Sequence, residues 1–234
     1  MKNKAAAMRN ILLAMVGLGL CMIGCWLSGS YGEGNVRNGL IQSNWVKMSY
    51  IRLEASIIMS ALGIGISYPG FRDFIKAVKL SRRKNSINDF RMVRVFEIGM
   101  ASSLMSYLFI FTGYTMIAIV YRQLFVTNLM GADIISVTEG MFYYIAVPLL
   151  TLLVLSVGCT SVAYMYLVYC DRIRVSSICM FFNPLVFMLI GELLKLTKLY
   201  YLSDFASGLI PMGYVVMFAA GMSHVAKMKP RRRA

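Results

Sequence analysis

The chain has 234 residues, of which 59% are hydrophobic and 15% are charged, and its formal net charge is +14. A soluble domain needs more polar surface than this composition supplies. The composition therefore excludes an ordinary soluble protein and favours an all-α polytopic transmembrane bundle whose surface faces lipid.

Six apolar stretches are each long enough to cross a bilayer as a helix, which takes about 20 residues. They cover residues 10–29, 48–69, 95–121, 140–169, 174–195 and 203–225. The connections between them are too short to form a separate soluble domain. We therefore expect a single integral membrane domain over residues 1–234 with six spans.

The basic residues predict which side of the membrane each connection occupies. Eighteen of the 24 Lys and Arg residues lie in the N-terminal tail, the link at residues 70–94, the fourth link and the C-terminal tail. By the positive-inside rule these segments are cytoplasmic. We expect a multi-pass protein of the cell membrane with both termini in the cytoplasm. The same placement argues against a nucleic-acid partner.

The first span has a second interpretation. Lys2, Lys4 and Arg9 precede an apolar run that ends at Met22 to Cys25, a pattern similar to a secretory signal with a lipoprotein cleavage box. In that case residues 1–24 are removed and five spans follow a lipidated cysteine. The five further spans favour an ordinary first helix.

Pro69 and Gly70 predict the end of the second helix, because proline lacks a backbone donor. After them Phe71, Phe74 and Val78 recur at helical spacing, with basic residues between them. This pattern predicts either a helix in the cytoplasmic membrane interface or a solvated loop. The residues expected to contact anionic lipid headgroups are Arg72, Lys76, Lys79, Arg82, Arg83 and Lys84.

Asn183 and Pro184 form a candidate polar site near the middle of the fifth span. Pro184 lacks an N–H group and pushes away the carbonyl of Met180, which leaves that carbonyl beside a carboxamide. Transporters commonly place solute contacts at helices interrupted in this way. The alternative is a packing kink whose asparagine bonds to a neighbouring helix.

Charged residues near the outer ends of the spans extend the candidate site. Arg52 and Glu54 lie inside the second span, and Glu192 lies at the outer end of the fifth, with Glu139 and Lys195 at similar depth. They are expected to form a structural salt-bridge cluster. The sharper hypothesis is a vestibule that binds a proton or a cation, because an ionised Glu54 is costly in an apolar span.

Small residues recur at helical spacing in several spans and predict close helix packing. In the first span they are Gly17, Cys21, Gly24 and Ser28. A homo-oligomer or a membrane-protein partner could use such a face.

Motifs for catalysis are missing. His224 is isolated at the end of the last span, and the five cysteines form no pair in an external loop. We expect no enzyme activity, no metal and no cofactor.

Several short motifs carry a resemblance to a family. They are Trp45 through Ser56, Gly63, Pro69, Gly70 and Phe71, then Phe182 to Leu185, and Ala206, Ser207 and Gly208. On these residues the chain resembles an uncharacterised family of bacterial six-helix integral membrane proteins. The resemblance implies the fold and no established activity. Leu209 departs from it, because a polar residue usually follows Gly208.

The first functional hypothesis is a transporter or permease for a small solute or ion, based on the interrupted helices and Asn183. The second is a non-catalytic membrane sensor, accessory subunit or scaffold. A membrane-embedded enzyme acting on lipids ranks third, because the sequence shows neither a catalytic nucleophile nor a pair of residues that could act as general acid and base.

Overall fold

The computed structural model describes residues 4–38, 41–81, 87–127 and 133–228, and these ranges are almost entirely helical. The helices are α1 (Lys4–Gly29), α2 (Tyr50–Leu80), α3 (Ile87–Thr127), α4 (Ile134–Met141), α5 (Val147–Tyr169), α6 (Pro184–Leu196), α7 (Tyr200–Ala206) and α8 (Leu209–Lys227). A short antiparallel hairpin of β1 (Arg37–Asn38) and β2 (Ile41–Gln42) precedes α2. A π turn at Phe142–Ala146 joins α4 to α5.

Five helical stretches in the described ranges are long and apolar enough to cross a membrane. They are α1, α2, residues Asp89–Thr127 of α3, the run Ile134–Tyr169 and α8. The remaining predicted span, residues 174–195, is not a continuous helix. It contains a 3-10 turn at Ser177–Phe181, and α6 begins only at Pro184, which cannot donate to a preceding helical turn.

The predicted end of the second helix at Pro69 is wrong. α2 continues through Pro69 to Leu80. Phe71 and Phe74 are 2% and 0% exposed, and their ring centroids lie 4.6 and 5.4 Å from that of Phe218 on α8. The apolar face of residues 70–80 therefore packs in the bundle core, where burial of large rings stabilises the continued helix, and does not lie on a membrane surface.

α1 and α2 pack closely through small residues, as the sequence predicts. Gly17 of α1 faces Gly63 and Ser67 of α2, and Gly24 faces Ser60. A Cβ atom at Gly17 or Gly24 would collide with the backbone of α2. The absence of side chains lets the two backbones approach, which increases their van der Waals contact.

One end of the bundle collects the start of α1, the end of α2, the start of α3, the end of α5 and the end of α8. We call it the basic end, after the Lys and Arg residues of these segments. The contacts that join them are Lys4 with Ala226, Asn10 with Asp73, Lys79 with Glu97, Asp89 with Arg172, and Arg174 with His224.

The opposite end is closed by residues 30–38 and 41–49, which we call the cap segment. Its Trp45 is 0% exposed and packs edge-on against Tyr114 of α3. Asp204 of α7 accepts hydrogen bonds from the N–H groups of Tyr31 and Gly32 at 2.9 and 3.1 Å. The Tyr31 hydroxyl bonds to that of Tyr114 at 2.5 Å, and burial raises the pKa of Tyr31, which keeps its hydroxyl neutral.

Residues 174–196 run alongside α8 from the basic end towards the cap segment. Arg174 lies beside the last turn of α8. Further along, Pro184 contacts Gly213, and Gly191 lies beside Ala206, just before α8 begins. The segment therefore runs from one end of the bundle to the other. Only its second half, α6, is an α-helix.

Large apolar side chains cover much of the outer surface. Four examples on four different helices are Ile58 of α2, Phe109 of α3, Leu155 of α5 and Leu189 of α6. Their exposed fractions are 58%, 54%, 60% and 55%, respectively. Soluble proteins rarely expose continuous apolar surface on this scale. Such a surface is typical of helices that face lipid.

Candidate functional site at the centre of the bundle

Asn183 begins α6 and is 0% exposed. Its side-chain oxygen accepts hydrogen bonds from the N–H groups of Leu185 and Val186 at 3.1 and 3.2 Å. Its side-chain nitrogen donates to the carbonyl of Met180 at 2.7 Å. Asn183 is thus the N-cap of α6, with Pro184 in the first helical position, where a missing N–H costs nothing. The Met180 carbonyl, predicted from the sequence to lack a hydrogen-bond donor, thus accepts its hydrogen bond from the Asn183 side chain.

Neighbouring helices enclose this helix start. The hydroxyl of Ser161 on α5 accepts a hydrogen bond of 3.2 Å from the N–H of Leu185. Gly213 of α8 packs against Pro184 so closely that a side chain there would collide with its backbone. The interruption therefore lies between α5 and α8 in the bundle interior, and its first-turn donors are paired.

Buried hydroxyl groups lie next to the interruption. Tyr214 follows Gly213 on α8, and its hydroxyl lies near those of Ser103 on α3 and Thr160 on α5. Ser103 and Thr160 donate to carbonyl groups of their own helices at 3.0 and 2.8 Å. Because their hydroxyl protons are engaged in these bonds, the Ser103 and Thr160 oxygens can take part in further hydrogen bonds only as acceptors. The Tyr214 hydroxyl is buried and makes no hydrogen bond of good geometry within the described residues.

A void of about 10 Å³ adjoins Tyr214 between α1, α2, α3 and α8. Cys21, Ser103, Tyr107 and Tyr214 are among the residues that line it, but the surface they present to the void is almost entirely apolar. The Tyr107 hydroxyl is bonded to the thiol of Cys25. A void of this size is close to the lower limit for one water molecule. We call these four polar residues and the void the central site.

Arg52 lies at the cap end and bonds to α1. Its Nε and Nη2 donate to the carbonyls of Leu27 and Ser30 at 2.5 and 2.6 Å. A guanidinium group at a helix C-terminus satisfies carbonyls that have no intrahelical donor and is attracted by their partial negative charge. Arg52 therefore acts as a C-cap for α1.

Glu54 and Glu192 do not meet. Glu54 is exposed, and within the described residues it forms neither an ion pair nor a hydrogen bond. Glu192 pairs at 2.6 Å with Lys195, one turn along α6, and its side chain is 64% exposed. The five candidate residues thus separate into a buried pair, Asn183 and Pro184, and three positions nearer the cap end.

The basic residues expected to contact lipid lie at the end of α2. Arg72 and Lys76 are 55% and 53% exposed and lie 3.9 and 3.7 Å from a carboxylate oxygen of Asp73. Lys79 pairs with Glu97 at 2.6 Å. Arg82, Arg83 and Lys84 lie outside the described residues.

Tyr214 and Ser161 are not among the site residues that the sequence predicts. A tyrosine inside an apolar span was the available signal for Tyr214, because a buried hydroxyl requires a partner. Nothing in the sequence places Ser161 beside the start of α6. No group of three or more His, Cys, Asp or Glu residues in the described ranges is arranged to hold a metal ion.

Comparisons with known proteins give a family and no function. No curated protein and no solved structure matches the chain. One family model covers residues 1–228, which confirms the resemblance to an uncharacterised family. The chain belongs to a family of unknown function, DUF6796.

Proposed function

We propose that the chain is a multi-pass protein of the cell membrane that crosses the bilayer six times, with both termini in the cytoplasm. The five long apolar helices and the exposed apolar surface support membrane insertion. Residues 174–196 form the sixth crossing in this proposal. The contact of Lys4 with Ala226 supports an even number of crossings. Basic residues at that end favour its placement in the cytoplasm.

We further propose that the protein is a transporter or permease for a small solute. The observation that carries this proposal is the interruption of residues 174–196 at Asn183 and Pro184; we call residues 174–196 the broken pass. The interruption lies next to the buried hydroxyls of Ser161, Thr160 and Tyr214. A pass that is helical only in part has a natural hinge, and transporters place their solute sites at such breaks. The cap segment closes one end, so the described conformation is occluded on that side.

The predicted polar residues have distinct roles in this proposal. Asn183 and Pro184 form the hinge of the broken pass. Arg52, Glu54 and Glu192 lie nearer the outer end, where their charges meet water and set the local electric field. At the basic end, Arg72, Lys76 and Lys79 contact anionic lipid headgroups, together with Arg82, Arg83 and Lys84.

A second candidate is a non-catalytic accessory subunit or scaffold. Two observations favour it. Asn183 and Ser161 accept hydrogen bonds from the first-turn N–H groups of α6, and the void beside Tyr214 is small. A static helical bundle, in which residues 174–196 do not move, needs no cavity larger than this void.

Access of water to Cys21 distinguishes the two candidates. Cys21 is made the single thiol by replacing Cys25 with Ser and by replacing the remaining cysteines, Cys159, Cys170 and Cys179, with Ala. Native membrane vesicles are then treated with a charged, membrane-impermeant methanethiosulfonate. A transporter exposes Cys21 to the reagent from at least one side, whereas a static bundle protects it completely. A variant with Cys159 as the single thiol is the control, because that exposed residue on α5 faces lipid and not the bundle interior.

A further inference from the structure

We propose that Arg122 binds the phosphate group of a phospholipid in the leaflet at the cap end. This inference rests on the membrane placement proposed above and is independent of transport. It follows from the way the guanidinium group is held, from its lack of a negative partner and from its depth along α3.

Two neutral groups hold the Arg122 side chain in place. Its guanidinium carbon lies 3.7 Å from the centre of the Tyr50 ring, a cation–π contact, and its Nε donates to the Val46 carbonyl at 3.2 Å. The Tyr50 hydroxyl in turn donates to the side chain of Gln123 at 2.5 Å. Because the guanidinium group is already fixed, little side-chain entropy is lost when it binds an anion.

The charge of Arg122 has no negative partner among the described residues. No carboxylate there, including that of Glu54 on the neighbouring α2, forms an ion pair with it, and its Nη1 atom has no acceptor. Other enclosed arginines differ, because Arg52 donates to two carbonyls at the end of α1 and Arg172 lies 4.0 Å from Asp89. An arginine stays charged, so a counter-ion for Arg122 has to come from outside these residues.

Arg122 lies at the depth of the lipid and not beyond it. One turn nearer to the end of α3, Phe125 and Val126 are 53% and 62% exposed. Apolar side chains this exposed on a membrane helix are expected to meet lipid, so the guanidinium group lies no further out than the headgroups. A charge at this depth is costly without a counter-ion. Arg122 is partly exposed, so a lipid phosphate can approach it from the side.

The local charges favour an anionic phospholipid over a zwitterionic one. The planar N–H donors of a guanidinium group match the oxygens of a phosphate. Lys47 follows Val46 in the chain, is exposed and adds a second positive charge. The two cations repel the ammonium group of phosphatidylcholine, whereas the glycerol headgroup of phosphatidylglycerol carries no such group. We expect phosphatidylglycerol to be preferred roughly five-fold, the effect of one basic residue near an anionic surface.

Quenching of Trp45 fluorescence by brominated lipid tests the site. The chain has two tryptophans, and Trp26→Phe leaves Trp45, which adjoins the Val46 contact of Arg122, as the single reporter. The full-length protein is reconstituted in vesicles of phosphatidylcholine and phosphatidylglycerol, with bromine near the top of the acyl chains of one lipid or the other. At equal amounts, brominated phosphatidylglycerol should quench Trp45 more strongly than brominated phosphatidylcholine.

Variants in this background assign the preference to one residue. Arg122→Gln should abolish it. Arg52→Gln is the matched control, because Arg52 is a partly buried arginine at the same end whose guanidinium group is already bonded to backbone carbonyls. It should retain the preference. If Arg122→Gln does not fold, Arg122→Lys decides, because lysine keeps the charge without the planar, stacked donors and should weaken the preference.

A preference that is absent, that survives Arg122→Gln or that is unchanged in Arg122→Lys overturns the inference. Inorganic phosphate that removes the preference, where sodium chloride at the same ionic strength does not, overturns the assignment to lipid in favour of free phosphate. Flotation of the protein with the vesicles after alkaline carbonate treatment tests the membrane placement separately. A protein that floats but shows no preference refutes this inference alone, and one that does not float refutes the placement as well.

Discussion

The Nδ1 atom of His224 accepts a hydrogen bond of 2.9 Å from the backbone N–H of Arg174. An imidazole can accept only in its neutral form, so the proton of His224 lies on Nε2, which is buried near the α2 backbone at Ala77. The bond joins the start of the broken pass to the last turn of α8. His224, which the sequence presented as isolated, thus fixes where residues 174–196 leave the basic end.

Replacement of His224 by Phe should release this attachment. A phenyl ring still fills the buried site, but the Arg174 N–H loses its acceptor. Because Arg174 is exposed and its N–H can bond to water instead, the loss should cost about 0.5–1.5 kcal/mol. We expect a lower melting temperature in detergent and faster amide hydrogen exchange at residues 173–176. Ser223→Ala, at the exposed neighbouring position, is the control. Unchanged exchange in His224→Phe would show that the bond does not hold the segment.

Asn183→Ala should destabilise the start of α6. The substitution removes the N-cap, which costs about 0.5–2 kcal/mol, and also leaves the Met180 carbonyl without its donor. Asn183→Ser keeps a capping oxygen and should recover part of the loss. Thermal unfolding of the three proteins measures this order. Equal stability of the Ala and Ser variants would contradict the capping role.

The α1–α2 interface gives a sharp test of close packing. A Cβ atom at Gly63 would collide with the Gly17 carbonyl and with Cys21, whereas a Cβ atom at Gly65 of the same helix meets nothing within 4 Å. Gly63→Ala should therefore cost about 1–3 kcal/mol by overpacking. Gly65→Ala should be neutral or stabilising, because alanine favours helix. Similar melting temperatures for the two variants would rule out the close approach.

Asp204→Ala should loosen the cap segment. The carboxylate accepts from two successive backbone N–H groups, at Tyr31 and Gly32, and both would lose their acceptor. We expect faster proteolysis between residues 33 and 38, with the membrane helices intact. Glu33→Ala removes an exposed carboxylate from the cap segment itself and should leave the cleavage rate unchanged.

The exposed basic pair on α2 should select anionic lipid. The double variant Arg72→Gln, Lys76→Gln removes two charges at the basic end, each worth about 1 kcal/mol near an anionic surface. Native mass spectra should contain less bound phosphatidylglycerol than spectra of the unmodified protein. Lys198→Gln is the control, because Lys198 lies two residues after α6, away from the basic end, and the substitution removes one basic charge there. Retention of the same lipid by the double variant would exclude these contacts.

The sequence by itself determined the features that depend on local composition. Apolar runs of sufficient length specify the helices, basic residues mark one end, and the spacing of Gly17 and Gly24 predicts close packing, since each is a property of neighbouring residues along the chain. The Asn183–Pro184 pair also carries the local signature of a helix start. The apolar run of residues 174–195 continues through the pair, and this run predicts a position inside a helix.

Only the tertiary structure decided what each proline does. Pro69 and Pro184 each remove one backbone donor, yet α2 continues through Pro69 while α6 begins at Pro184. The difference lies in the neighbours. Phe71 and Phe74 gain burial against α8 when α2 continues, whereas Asn183 and Ser161 supply acceptors that stabilise a free helix end. These partners are distant in sequence, so composition and periodicity could not reveal them.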